Sequence, residues 1–144
     1  MLKKLLNTTG SISFLLIRLT VGLIFLSEGI QKFIRPDEVG TGRFAKIGFG
    51  NPEFWAQFTA CFEIVCGGMI LAGFLTRLAA IPLLIIMAVA FITTKYSILI
   101  EKGFWSMAHE YRTDFAMTML LIFLLIYGGG NYSIDKKIAG SKTF

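Results

Sequence analysis

Eight ionisable residues carry whatever chemistry this chain performs. Glu28, Lys32, Glu63, Lys95, His109, Glu110, Arg112 and Asp114 stand in or at the edges of long apolar runs. An ionisable group inside a bilayer is costly, so it normally faces other helices or a wet cavity and marks a functional site. Glu28 and Lys32 are four residues apart and share a helix face. Glu110 and Asp114 have the same spacing, and like charges so placed repel unless a proton or a cation from another helix intervenes. Lys95 and Arg112 are the cations on offer. Glu63 has no charge near it on its own helix. Were no cation to reach it, burial would hold it neutral, and a neutral buried carboxyl is a proton-transfer candidate. The competing reading is a salt-bridge network that fixes helix register without chemistry.

These residues must be positioned by helices. The chain has 144 residues, of which 55% are hydrophobic and 14% aromatic. Its mean hydropathy is +0.70. Soluble domains run about 45–50% apolar and rarely hold long unbroken apolar stretches. Four occur here: Ile12–Ile34, Phe54–Leu75, Leu78–Ile100 and Phe115–Tyr127, the last extended back toward Met107. A membrane-spanning helix needs roughly 20 such residues. The expected fold is therefore all-α, an integral membrane four-helix bundle forming one domain over residues 1–144. Its helices are placed near 12–34, 52–75, 78–98 and 107–128. The first is read as a span and not a signal peptide, because it exceeds the ~7–15 residues of a signal core and carries Arg18 and Glu28.

Local signals set the boundaries. Pro36 ends the first helix. Asn51-Pro52-Glu53 opens the second with a cap candidate, a proline at the first position and an acid near the positive dipole end. Gly73 and Thr76-Arg77 suit a tight turn into the third. Ser106 is the expected cap of the fourth, and Gly128-Gly129-Gly130 stops it. The loop Arg35–Asn51 holds Phe44, Ile47 and Phe49, which predicts that it folds back over the bundle or lies in the interface. Trp55, Trp105 and Tyr111 read as an interfacial aromatic belt. Arg18 is expected to snorkel to nearby headgroups. Gly22, Gly29 and Gly67 read as points of close helix approach.

The net charge of +5 carries no nucleic-acid motif and is better read as topology. With alternating helices, Lys3, Lys4, Arg77, Lys136, Lys137 and Lys142 share one side. Arg35, Arg43, Lys46 and Lys102 share the other, with Lys95 near it. The positive-inside rule then puts both termini in the cytoplasm. In this frame every helix sends its polar groups to the outer half. Glu63 lies about 11 residues into its helix, roughly 16 Å at 1.5 Å per residue. The eight residues are thus read as one pocket opening outward. Cys61 and Cys66 point to different faces and lack the spacing of a metal set, so no metal is expected. His109 is the sole histidine, which excludes bis-histidine haem within one chain.

Several segments resemble one family. Arg18-Leu19 with Gly22, Glu28-Gly29-Ile30-Gln31-Lys32-Phe33, Phe62-Glu63-Ile64 with Gly67-Gly68, Gly73-Phe74-Leu75-Thr76-Arg77-Leu78-Ala79-Ala80, and Tyr132-Ser133-Ile134-Asp135 are similar to DoxX-family membrane proteins. The resemblance spans nearly the whole chain. It implies a four-helix inner-membrane bundle and a link to a thiosulfate:quinone oxidoreductase subunit or other membrane redox complexes. Family signatures often carry His where this chain has Glu28, so a role needing imidazole there does not carry over. Three function classes follow. The first is a redox-associated subunit holding a quinone or lipid-like ligand, with no covalent cofactor and any electron carrier bound noncovalently or supplied by a partner. The second is a proton- or ion-coupled carrier, which would need dimerisation. The third is a scaffold or chaperone for a partner protein. The sequence leaves open whether the protein is an enzyme.

Overall fold

A computed structural model describes residues 11–140. Lys3, Lys4 and Lys142, on which the charge asymmetry partly rests, lie outside them. The described residues are helical with no strand. We number the elements α1 (Ser11–Ile34), α2 (Thr41–Ile47), α3 (Pro52–Ala72), α4 (Thr76–Ala90), α5 (Tyr96–Lys102), α6 (Phe104–Tyr127) and α7 (Ile134–Gly140). A π-helical turn, Phe91–Lys95, joins α4 to α5, so Thr76–Lys102 is one continuous helix of 27 residues. Three helices are long and apolar enough to cross a membrane: Ile12–Ile34, Pro52–Ala72 and Thr76–Lys102. The fourth, α6, has 24 residues but carries His109, Glu110, Arg112 and Asp114 in its first half.

Boundary chemistry accounts for these ends. Asn51 Oδ1 accepts from the Phe54 amide at 3.4 Å, and Pro52 takes the first helical position, where a missing N–H has no consequence. Gly73, at φ +68°, closes α3: its own N–H donates to Ile70 O and that of Phe74 to Met69 O. One expectation needs correcting. Ser106 does not cap α6, which begins three residues earlier with Gly103 as its N-cap and no side-chain cap. The apolar pair Phe104-Trp105, ahead of the expected helix start near 107, forms the helix's first turn.

The core draws on all four long helices: Val21 and Phe25 from α1, Cys66 and Ile70 from α3, Ala79, Ala80, Leu83 and Met87 from α4, and Met117, Leu121 and Leu124 from α6. The outward faces stay apolar, with Leu16, Leu23, Val65, Ile85, Phe115 and Ile126 all exposed. A soluble helix would place polar residues there. α1 and α3 make the most intimate contact and run antiparallel. A Cβ at Gly29 would lie 2.8 Å from Ala60 O and 3.0 Å from Glu63 Cβ. Small residues permit such backbone approach, which in lipid takes the place of a hydrophobic driving force. The loop after α1 folds onto the start of α3. Phe44, Ile47 and Phe49 are half-buried, and the rings of Phe44, Phe49 and Trp55 pack in series, tilted to one another, with centroids 5.1 and 6.1 Å apart.

Candidate functional site

The described molecule has two ends. The proximal end holds the start of α1, the α3–α4 turn and the tail. The distal end holds the end of α1, the start of α3, the π turn and the start of α6. All eight candidate residues lie toward the distal side, but they do not form one contact network.

The first group is Lys32, Glu63 and Glu28. Lys32 Nζ donates to Glu63 Oε2 at 2.6 Å and more weakly to the Glu28 carbonyl at 3.4 Å. The Lys32 and Glu63 side chains are 10% and 5% exposed, so this is a buried ion pair. Its geometry follows from Gly29: the close approach there sets Lys32, one turn on, opposite Glu63. The Glu28 and Arg43 charges lie within electrostatic reach of Glu63. The i,i+4 spacing of Glu28 and Lys32 pointed to a pair within α1. The lysine instead crosses to α3 and touches only the Glu28 backbone.

The second group is Lys95 and Asp114, 3.5 Å apart, with Lys95 buried and Asp114 half-buried. The π turn places this lysine. The buried stripe of α4 runs through Ala79, Leu83 and Met87. At 3.6 residues per turn, the stripe passes Ala90 and Phe91 and reaches Thr94 two turns after Met87. The wider turn takes up one more residue, and Lys95 stands there instead. Thr94 Oγ1 turns back to Ala90 O at 2.5 Å and Thr93 Oγ1 to Val89 O at 2.8 Å. Asp114 takes Lys95, on a neighbouring helix, as its partner, while Glu110, four residues earlier, is exposed.

The remaining three residues face outward. Arg112 Nη1 meets the His109 ring nitrogens at 2.9 and 3.0 Å, and both residues are exposed. Glu110 is exposed as well and borders a shallow groove of about 450 Å³ with His109, Lys102 and Trp105. Arg112 makes no bond to Glu63 among the described residues. No set of three His, Cys, Asp or Glu side chains there could hold a metal ion. Cys61 is exposed and Cys66 buried, both as free thiols.

Sequence reasoning missed the tightest polar cluster, at the proximal end. Arg18 does not snorkel to headgroups. It is 2% exposed. It donates through Nε to Ile70 O at 2.9 Å, through Nη2 to Leu71 O at 2.5 Å, and through Nη1 to Tyr132 O at 2.7 Å and Gly129 O at 3.3 Å. It thus satisfies end carbonyls of α3 that have no partner within the helix. It also ties them to the chain after α6. Asp135 completes the cluster. Its Oδ1 accepts from Leu75 N at 2.6 Å, and its Oδ2 from Thr76 N and Oγ1, both at 2.9 Å. It acts as the cap of α4 from 60 residues away, a role that Leu75, in left-handed backbone at φ +46°, cannot fill itself. The available signal was the pairing of one arginine in an apolar helix with one acid in the tail.

Arg18, Gly73, Thr76 and the Tyr132–Asp135 stretch thus form one interlocked unit, with Asp135 N also donating to Gly73 O at 2.9 Å. A DoxX family model matches residues 13–96. The chain belongs to the DoxX family. It is 48% identical over 146 residues to an uncharacterized membrane protein of Mycobacterium tuberculosis, covering 97% of this chain and 90% of that protein. It is 31% identical over 90 residues to a Bacillus subtilis protein named "Putative oxidoreductase CatD", covering 62% of this chain and 65% of that protein. No solved structure matches this DoxX protein.

Proposed function

We propose that this DoxX protein is a multi-pass inner-membrane component of a bacterial redox system. In this reading it is a four-helix transmembrane bundle with both termini in the cytoplasm, and its distal cluster takes the head of a quinone or a similar lipid-soluble ligand. One observation carries the reading: a Lys32–Glu63 ion pair sits in an otherwise apolar helix interface, with the Glu28 carboxylate within electrostatic reach of Glu63. Apolar walls with a few convergent polar groups suit such a ligand. The residues fit its chemistry. Lys32 uses two of its three N–H donors within the cluster and keeps one for a carbonyl oxygen. The Glu28 carboxylate accepts no hydrogen bond among the described residues, so it is a spare acceptor for a hydroxyl proton. A bound quinone would supply two-electron chemistry, and the chain's part would be to orient it and hold the proton. The name of the Bacillus relative agrees with a redox role. With no electron carrier bound covalently, electrons would arrive from a membrane partner.

The test is quinone retention. Protein purified in mild detergent is extracted and its quinone content measured for wild type, Lys32→Met and Glu28→Gln. Retention by wild type and loss of most of it in both variants supports the reading. No retention or binding of added short-chain quinone by wild type, or unchanged retention in both variants, overturns it. The scaffold reading has one observation in its favour: the Lys32–Glu63 pair is closed and both partners are buried, as a register-fixing pair would be. It predicts that replacing both partners with apolar residues leaves the protein fully functional in its cell. An exchanging carrier is disfavoured, because Glu63 is already held by a fixed cation.

A further inference from the structure

A broad recess lies away from the distal cluster. It is a groove of about 950 Å³ between the start of α4, the glycine turn after α6 and the tail. We infer that it binds the phosphodiester head group of an anionic phospholipid.

Its charge points that way. Arg77 and Lys136 line it, both are exposed, and neither has an ion-pair partner among the described residues. Arg77 lies across the glycine turn, its Nε 3.5 Å from where a Gly128 Cβ would stand. Asp135 is the one acid in the lining, and both its oxygens already accept from Leu75 and Thr76. An arriving anion therefore meets two cations without ion-pair partners among the described residues, and one acid whose oxygens are already engaged by fixed donors. Arginine suits a phosphate in particular, because its planar fork can engage two oxygens at once.

Its position selects a lipid over a soluble anion. Thr76 begins a membrane-length helix, so Arg77 stands at the edge of the hydrocarbon layer. Leu75, Leu78 and Tyr127 also line the groove and are exposed, a wall along which acyl chains would run. Basic recesses between helices at this level hold anionic lipid head groups. The chain's own first ten residues are the rival occupant. They carry Lys3 and Lys4 and no acid, the same sign as the groove.

Native mass spectrometry of delipidated protein in neutral detergent tests the inference. The probes are phosphatidylglycerol, phosphatidylcholine and inorganic phosphate. Phosphatidylglycerol should bind about tenfold more tightly than phosphatidylcholine. Arg77→Gln with Lys136→Gln should weaken it about 30-fold, at roughly fivefold per basic residue. Lys46→Gln with Lys102→Gln removes the same charge at the other end and should bind as wild type. If the first double variant fails to fold, Lys136→Gln alone, on the exposed tail helix, should still lose about fivefold. Equal binding of the two lipids, an equal loss in the control variant, or displacement by inorganic phosphate at matched concentration each overturns the proposal. So does cross-linking of a cysteine at Asn131 to residues 1–10 in place of lipid.

Discussion

Removing Lys32 alone should damage this protein more than removing Lys32 and Glu63 together. At 2.6 Å and an effective dielectric constant of about 20, the gross attraction between the two charges is about 6 kcal/mol. Taking both ions out of water costs several kcal/mol each, so the pair as a whole is close to neutral for stability. The asymmetry appears when one partner goes. Lys32→Met leaves Glu63, 4% exposed, with no bonded cation in the helix interface. Loss of one member of a buried pair costs about 3–5 kcal/mol, a factor of about 150 to about 5,000 in the folding equilibrium. Lys32→Met with Glu63→Leu removes both charges, keeps the volume nearly constant, and should return to within about 1 kcal/mol of wild type. Reversible unfolding in mixed micelles, run as a double-mutant cycle, reads the coupling directly. Two single variants each within about 1 kcal/mol of wild type, with no coupling between them, would show that the pair is not buried as described.

Other outcomes follow from the same structure. Arg18→Leu removes the side-chain donor from the carbonyls of Leu71, Gly129 and Tyr132 and leaves Ile70 O only its Gly73 partner, and should cost at least about 3 kcal/mol, given about 1.5–3 kcal/mol per hydrogen bond to a charged group. Arg18→Lys should recover only part of that loss, because an ammonium cannot reach carbonyls on two separate segments as the fork does; hydrogen exchange at the α3 end and protease sensitivity of the tail report both. Asp135→Ala should cost about 1–2 kcal/mol as a lost helix cap, with faster exchange confined to the first turn of α4. Gly29→Val should separate α1 from α3 and weaken the Lys32–Glu63 coupling measured in the cycle, without touching the Lys95–Asp114 pair.

The helices were legible in the sequence because their causes are local: apolar length, Pro36, the Asn51-Pro52 start and the Gly128 stop. The partners of the charges were less so. Lys32 had one acid four residues before it and chose another 31 residues later, and only the packing of Gly29 against Ala60 decides between them. Arg18 was misread for a related reason. It lies about two turns into α1, near enough to the helix start for snorkelling to be plausible. Its acceptors are 52–114 residues away and are backbone atoms, which leave no trace in residue type. The π turn was invisible too, since Phe91-Ile92-Thr93-Thr94-Lys95 carries no Gly or Pro to announce it. Arg112 shows the converse: a charge at a suggestive depth that turns outward to His109.

The bonds of Arg18 also order events in time. This arginine is among the first residues of the described chain to be made, and two of its four acceptors are among the last. A ribosome that has delivered α1 and α3 to the membrane has supplied Ile70 and Leu71 but not Gly129 or Tyr132. Until the tail emerges, the guanidinium holds only half its contacts and α4 begins without the Asp135 cap. The finished chain therefore closes on its own beginning. A product truncated before Gly129 would hold every candidate span and leave Arg18 with only its two α3 acceptors, Ile70 and Leu71.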